Sequence, residues 1–150
     1  MTEIHRYTLL QRLIHWVIAF LAVVLLAVGM TLGLLGFDGV KSAFGPDVTN
    51  ALYTAHKTFG ILLLALMLPR LALRLALPTP PYRTPLSKFE RVASNAVHGL
   101  IYLALLAMPI LGWLATAAGG YPVQFFAWTL PGLIEKDKAL GETLFWLHGL

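Results

Sequence analysis

Apolar residues run almost without interruption from Leu13 to Leu35, from His56 to Leu77 and from Val92 to Ala118. A hydrocarbon core of about 30 Å takes about 20 apolar residues of helix to cross, so each run is long enough for one span. A fourth run, from Leu140 to Leu150, opens the same way with Leu144, Phe145, Trp146 and Leu147. It reaches only about 15 Å along a helix axis, so the sequence is expected to be cut inside a fourth helix. The pattern predicts an all-α, integral membrane four-helix bundle, its fourth helix truncated, as one domain over residues 1–150.

Composition agrees with a lipid environment. With 58% hydrophobic and 12% charged residues and a mean hydropathy of +0.75, the chain has too little polar surface to cover a water-soluble globule. Arg6 and Arg12 precede the first run as they would in a signal peptide. That run is too long for a signal h-region and further spans follow, which predicts a retained helix.

The net charge of +4 does not form a patch for nucleic acid; it reports topology. Arg6 and Arg12 lie before the first helix, and Arg70, Arg74, Arg83, Lys88 and Arg91 surround the second connection. The opposite side has Lys41, Lys57, Lys136 and Lys138, diluted by Asp38, Asp47, Glu135, Asp137 and Glu142. The positive-inside rule puts the N-terminus in the cytoplasm and the first and third connections outside. The segment "LPTPPYRTPLSKFER", with four prolines, is a short semi-rigid cytoplasmic linker. The outer segment "GGYPVQFFAWTLPGLIEKDKALG", broken by Pro122 and Pro131, is expected to cap the bundle at headgroup level, where Trp and Tyr are favoured.

The chain has no cysteine, which excludes disulfides, thiolate-held zinc or iron–sulfur clusters and covalent CxxCH haem attachment. Any metal must rest on histidine or carboxylates. His15 and His98 fall near the cytoplasmic ends of the first and third helices, and His56 and His148 near the outer ends of the second and fourth. His5 lies apart and is expected to be solvated. Each imidazole alone is as well explained by an interhelical hydrogen bond as by a ligand role. Four in two layers, with almost no intramembrane Asp or Glu, suit two bis-imidazole metal centres. Zinc lacks its further ligands at each level, whereas haem needs only two axial ones.

Small residues accompany the histidines. His15, Ala19, Ala22, Leu26 and Gly29 share a helix face, Gly60 lies one turn from His56, and Gly99 and Gly149 follow His98 and His148. Close helix packing explains small residues equally well; their coincidence with histidines favours a flat cofactor. Arg70 and Arg74, one turn apart, either snorkel to the interface or pair with haem propionates, and Lys57 is a weaker candidate for pairing outside.

"RLIHW" on the first helix, "AHKTFGILLLALMLPRLALRLALPTPP" on the second, "HGLIYLALLAMPILGW" on the third and "WLHG" on the fourth resemble the bacterial cytochrome b561 family, relatives of the hydrogenase cytochrome b subunits. The resemblance covers essentially the whole chain. It rests most on the arginine pair followed by a prolyl linker and on the HxxxY…PxxGW stretch. It implies a multi-pass protein of the bacterial inner membrane whose four-helix bundle holds two b haems and exchanges electrons with the quinone pool. In some members it implies superoxide oxidation at the periplasmic face coupled to quinone reduction. It further implies that His56 and His148 bind the outer haem iron and that His15 is one ligand of the inner haem. The family's second inner ligand is a histidine about four turns past the first on the fourth helix, beyond Leu150. His98 lies at the level to substitute, although in the family it resembles a neighbour of the inner haem or a quinone contact.

Two other readings fit the sequence. One is a membrane-anchor cytochrome of a hydrogenase or formate dehydrogenase, docking a periplasmic redox protein. The other is a haem-free transporter or assembly protein whose histidines bridge helices.

Overall fold

The computed structural model describes residues 6–82 and 84–150, so the readings of His5 and Arg83 lie outside the described residues. The chain is mostly helical: α1 (Leu9–Ala76), α2 (Lys88–Ala118) and α3 (Lys138–His148), with a small hairpin of β1 (Val123–Phe125) and β2 (Trp128–Leu130) between α2 and α3.

The start of α1 is set by a reciprocal cap. The Gln11 N–H donates to the Thr8 hydroxyl at 3.2 Å, and the Thr8 N–H donates to the Gln11 side chain at 3.0 Å. The helix then breaks twice, at Gly36 (φ 65°, ψ 175°) and Gly45 (φ 80°, ψ 166°). Both φ values lie where only glycine is comfortable, and Pro46, whose ring already fixes a helical φ, restarts the helix. A first limb (9–35), a short connecting piece (37–44) and a second limb (46–76) result. The connection between the first two apolar runs is thus largely helical, because it holds no other residue that stops a helix.

The second limb ends where Leu77 turns extended ahead of Pro78. The described residues of 77–87 contain no helix, as four prolines dictate. Another capping box, between Ser87 and Glu90, opens α2. Asp137 caps α3 by accepting from the Leu140 N–H at 3.1 Å.

Packing sets the directions. Ile18 of the first limb is buried with Leu63 and Met67 of the second, and Tyr102, Leu105 and Leu106 of α2 close over them. Further along, Gly29 abuts His56, so the two limbs run antiparallel. Ala115 and Ala118 of α2 are buried against Leu144 of α3. There Gly141 lets the backbones touch: a Cβ on it would stand 3.0 Å from the Gly119 nitrogen.

The apolar surface mostly faces outward. Leu34 and Phe89 are 81% exposed and Phe20 is 73% exposed, and the same holds along both long apolar helices, α1 and α2. So large a continuous apolar face is stable against lipid and not against water. Helix hydroxyls are satisfied locally, as where Thr31 donates to the Ala27 carbonyl at 2.9 Å and buried Thr116 to that of Gly112 at 2.7 Å.

Candidate functional site

Helix periodicity places the candidate residues in two layers. His15 and Gly29, His56 and Arg70, and His98 and Gly112 are each 14 residues apart, about 21 Å of helix. Since the limbs alternate in direction, each layer receives one residue from each pair.

In the layer near the hairpin, the second limb carries His56 and α3 carries His148. Their ring centroids lie 5.9 Å apart with planes at 77°. The His148 Nδ1 is 2.8 Å from the Met108 carbonyl oxygen on α2. A carbonyl only accepts, so Nδ1 bears the proton and Nε2 keeps its lone pair. The His56 Nδ1 is buried without a hydrogen-bond partner among the described residues.

This arrangement fits a metal held by two imidazoles. Nitrogen ligands about 2 Å from a shared metal on opposite sides put their ring centroids about 6 Å apart. The orphaned polar nitrogen of His56 is costly in an apolar layer unless its ring serves a further purpose. No group of three or more His, Asp or Glu converges among the described residues, which suits haem, with its own equatorial nitrogens, better than zinc.

The hairpin is pinned over this layer by the second limb. Lys57 donates to the Pro122 carbonyl at 3.1 Å and Thr54 to the Gln124 side chain at 3.1 Å. Buried Thr58 donates to the Gln124 carbonyl and accepts from the Phe126 N–H, each at 3.4 Å. Phe126 holds a left-handed φ of 53° at the turn, and Trp113 fixes the far side by donating to the Pro131 carbonyl at 3.2 Å. Sequence reasoning expected an interfacial cap here but missed the hairpin and the residues that pin it. Lys57, beside His56, is among the residues that hold this backbone.

The other layer is looser. His15 is exposed, its ring 5.3 Å from that of Trp16. His98 is exposed too, and its Nδ1 turns back to the carbonyl of Ser94 at 2.6 Å. Among the described residues His15 and His98 form no ring pair like that of His56 and His148. Arg70 is half-buried with its guanidinium 5.6 Å from the centre of the Tyr102 ring, while Arg74 is exposed.

Comparison with known proteins follows the same lines. Residues 6–150 match the family described as prokaryotic cytochrome b561. The chain is 29% identical to cytochrome b561 homolog 2 of Escherichia coli (strain K12), over 95% of its own length and 74% of that protein's. It is 27% identical to the probable superoxide oxidase CybB of Yersinia pestis, over 95% of this chain and 76% of the relative. It is 32% identical to cytochrome b562 of Cereibacter sphaeroides, over 79% and 72% respectively. With a family match spanning nearly every residue and an apolar helical scaffold that brings two imidazoles together, the chain belongs to the prokaryotic cytochrome b561 family of bacterial membrane proteins that carry haem b and transfer electrons.

Proposed function

We propose that this chain is a di-haem cytochrome b of the bacterial inner membrane that takes electrons from superoxide at the periplasmic face and delivers them to quinone. The observation that carries the proposal is the His56–His148 ring pair at 5.9 Å, set between two helices in an apolar layer. His56 and His148 are assigned as axial ligands of the outer haem, and His15 as one ligand of an inner haem about four turns away. Arg70 and Arg74 are assigned to the propionates on the inner side. The N-terminus is cytoplasmic, and the bundle has four helices when the two limbs of α1 are counted separately.

Bound haem supplies one-electron exchange, its potential tuned by ligand basicity, charge and burial. The protein's residues hold and shield it. Met108 fixes the proton of His148 on Nδ1, which keeps Nε2 available for iron. The hairpin, tied down by Thr54, Lys57 and Thr58, limits water at the outer layer. Overall, two superoxide anions each give up an electron and leave as dioxygen, and one quinone takes both electrons with two protons. The donor follows the relative named as a probable superoxide oxidase.

The test is a direct assay of the purified holoprotein with a superoxide source and a soluble ubiquinone analogue. Quinol formation that stops when superoxide dismutase is added supports the proposal. A protein that contains haem but reduces quinone only from another donor overturns the superoxide assignment.

A further inference from the structure

We infer that Gly112 is a positioning residue for His148, its missing side chain opening the approach of the imidazole to the Met108 carbonyl, and that Gly29 leaves the room in which the His56 ring is seated. The inference rests on the haem reading of this ring pair and concerns how the chain holds its two imidazoles in place. A Cβ added at Gly112 would stand 2.9 Å from His148 Cε1, 3.2 Å from Nδ1 and 3.3 Å from Nε2. The edge of the ring that carries both nitrogens therefore lies against this glycine. At Gly29 a Cβ would meet His56 Cε1 at 3.0 Å.

Helix geometry explains why position 112 matters. A Cα–Cβ bond tilts toward the helix N-terminus, so a side chain at 112 would cover the preceding turn, which contains Met108. The Met108 carbonyl accepts the helical N–H four residues on and has a second lone pair to spare. His148 uses it, at 2.8 Å. Carbon atoms settle at about 3.5–4.0 Å from one another, so an alanine would force the ring back by roughly 0.6 Å or more. That retreat lengthens the hydrogen bond and moves the ring relative to His56. The contact is particular to these positions, for a Cβ at Gly33, Gly60 or Gly99 meets nothing within 4 Å.

The experiment compares purified Gly112→Ala, Gly29→Ala and Gly33→Ala with the unsubstituted holoprotein. Haem-to-protein ratio, the low-spin electron paramagnetic resonance signals and the midpoint potentials are measured for each. Gly112→Ala and Gly29→Ala are expected to weaken retention of the same haem about tenfold or more, or to convert it to high spin. Gly33→Ala is expected to match the unsubstituted protein. An unchanged low-spin signal and haem content in Gly112→Ala, or an equal loss in Gly33→Ala, overturns the inference and leaves the haem reading standing. Absence of haem from the unsubstituted protein overturns both. If Gly112→Ala does not accumulate, pulsed magnetic resonance of the unsubstituted protein with labelled histidine reads the Nδ1 proton directly. A proton on the remote nitrogen hydrogen-bonded to a carbonyl supports the inference, and its absence overturns it.

Discussion

The imidazole of His148 donates to the carbonyl of Met108 on the neighbouring helix at 2.8 Å, and this single bond decides which of its nitrogens is free. His148 is held from behind, against α2, while its ring lies beside that of His56 on the second limb of α1. With Gly29 of the first limb against His56, four helical segments meet around two rings.

Because the two rings belong to one layer, His56→Ala and His148→Ala are expected to remove the same haem. Haem-to-protein ratios and reduced-minus-oxidised spectra of each variant check this. Substitutions that empty different sites mean that the pairing is wrong.

His98 is expected to be dispensable for haem binding. Its ring is tied to the Ser94 carbonyl of its own helix, whereas that of His148 reaches across to a neighbouring helix and lies 5.9 Å from a second imidazole. His98→Ala should keep the inner haem low-spin. Loss of that haem, or its conversion to high spin, would make His98 an axial partner of His15.

Thr58→Val keeps the shape of the buried side chain but removes its bonds to Gln124 and Phe126. Both bonds are long, at 3.4 Å, so the expected loss is about 0.5–1.5 kcal/mol. Thermal unfolding in detergent measures the cost. Faster reduction of bound haem by a water-soluble reductant measures the loosened hairpin. A variant as stable and as well shielded as the parent would show that these bonds do not hold the hairpin down.

At the start of α2, hydrogen bonds from the Ser87 hydroxyl and N–H hold the Glu90 carboxyl below its ordinary range. A carboxyl lowered on folding contributes stability that is present above its unfolded pKa and is lost as pH falls through the folded one. Acidification should therefore fray the first turn of α2 before the rest of the helix. Amide exchange of residues 88–92 at neutral and acidic pH reads this, and Glu90→Gln should remove most of the pH dependence. Equal protection of that turn at both pH values would count against the cap.

Much of the architecture is local and was legible from one-dimensional pattern. The apolar runs mark the two limbs and α2, the prolines of 77–87 mark the linker, and the start of α3 near Leu140 is plain. Helix boundaries were less so. The chain stays helical through 37–44 and again from 46, because only Gly36 and Gly45 interrupt it, and two glycines in an apolar sequence serve a close packing contact as readily as a break. The hairpin escaped notice because three-residue strands are too short for an alternating pattern to register.

By itself the sequence determined the apolar character and length of the helices and the helical spacing of the histidines within them, since hydrophobic length and helical rise are properties of the chain's own order. It also carried the family, through residues that keep their spacing. The tertiary structure alone decided that His56 and His148 lie ring to ring, that a Met108 carbonyl orients one of them, and that Gly29 and Gly112, unlike Gly33 and Gly60, stand against an imidazole. Those relationships depend on the rotation of each helix about its axis and on the separation between helices. Both are set by how Ile18, Leu63, Met67, Ala115 and Leu144 pack, a balance of contacts among distant segments that no local pattern encodes.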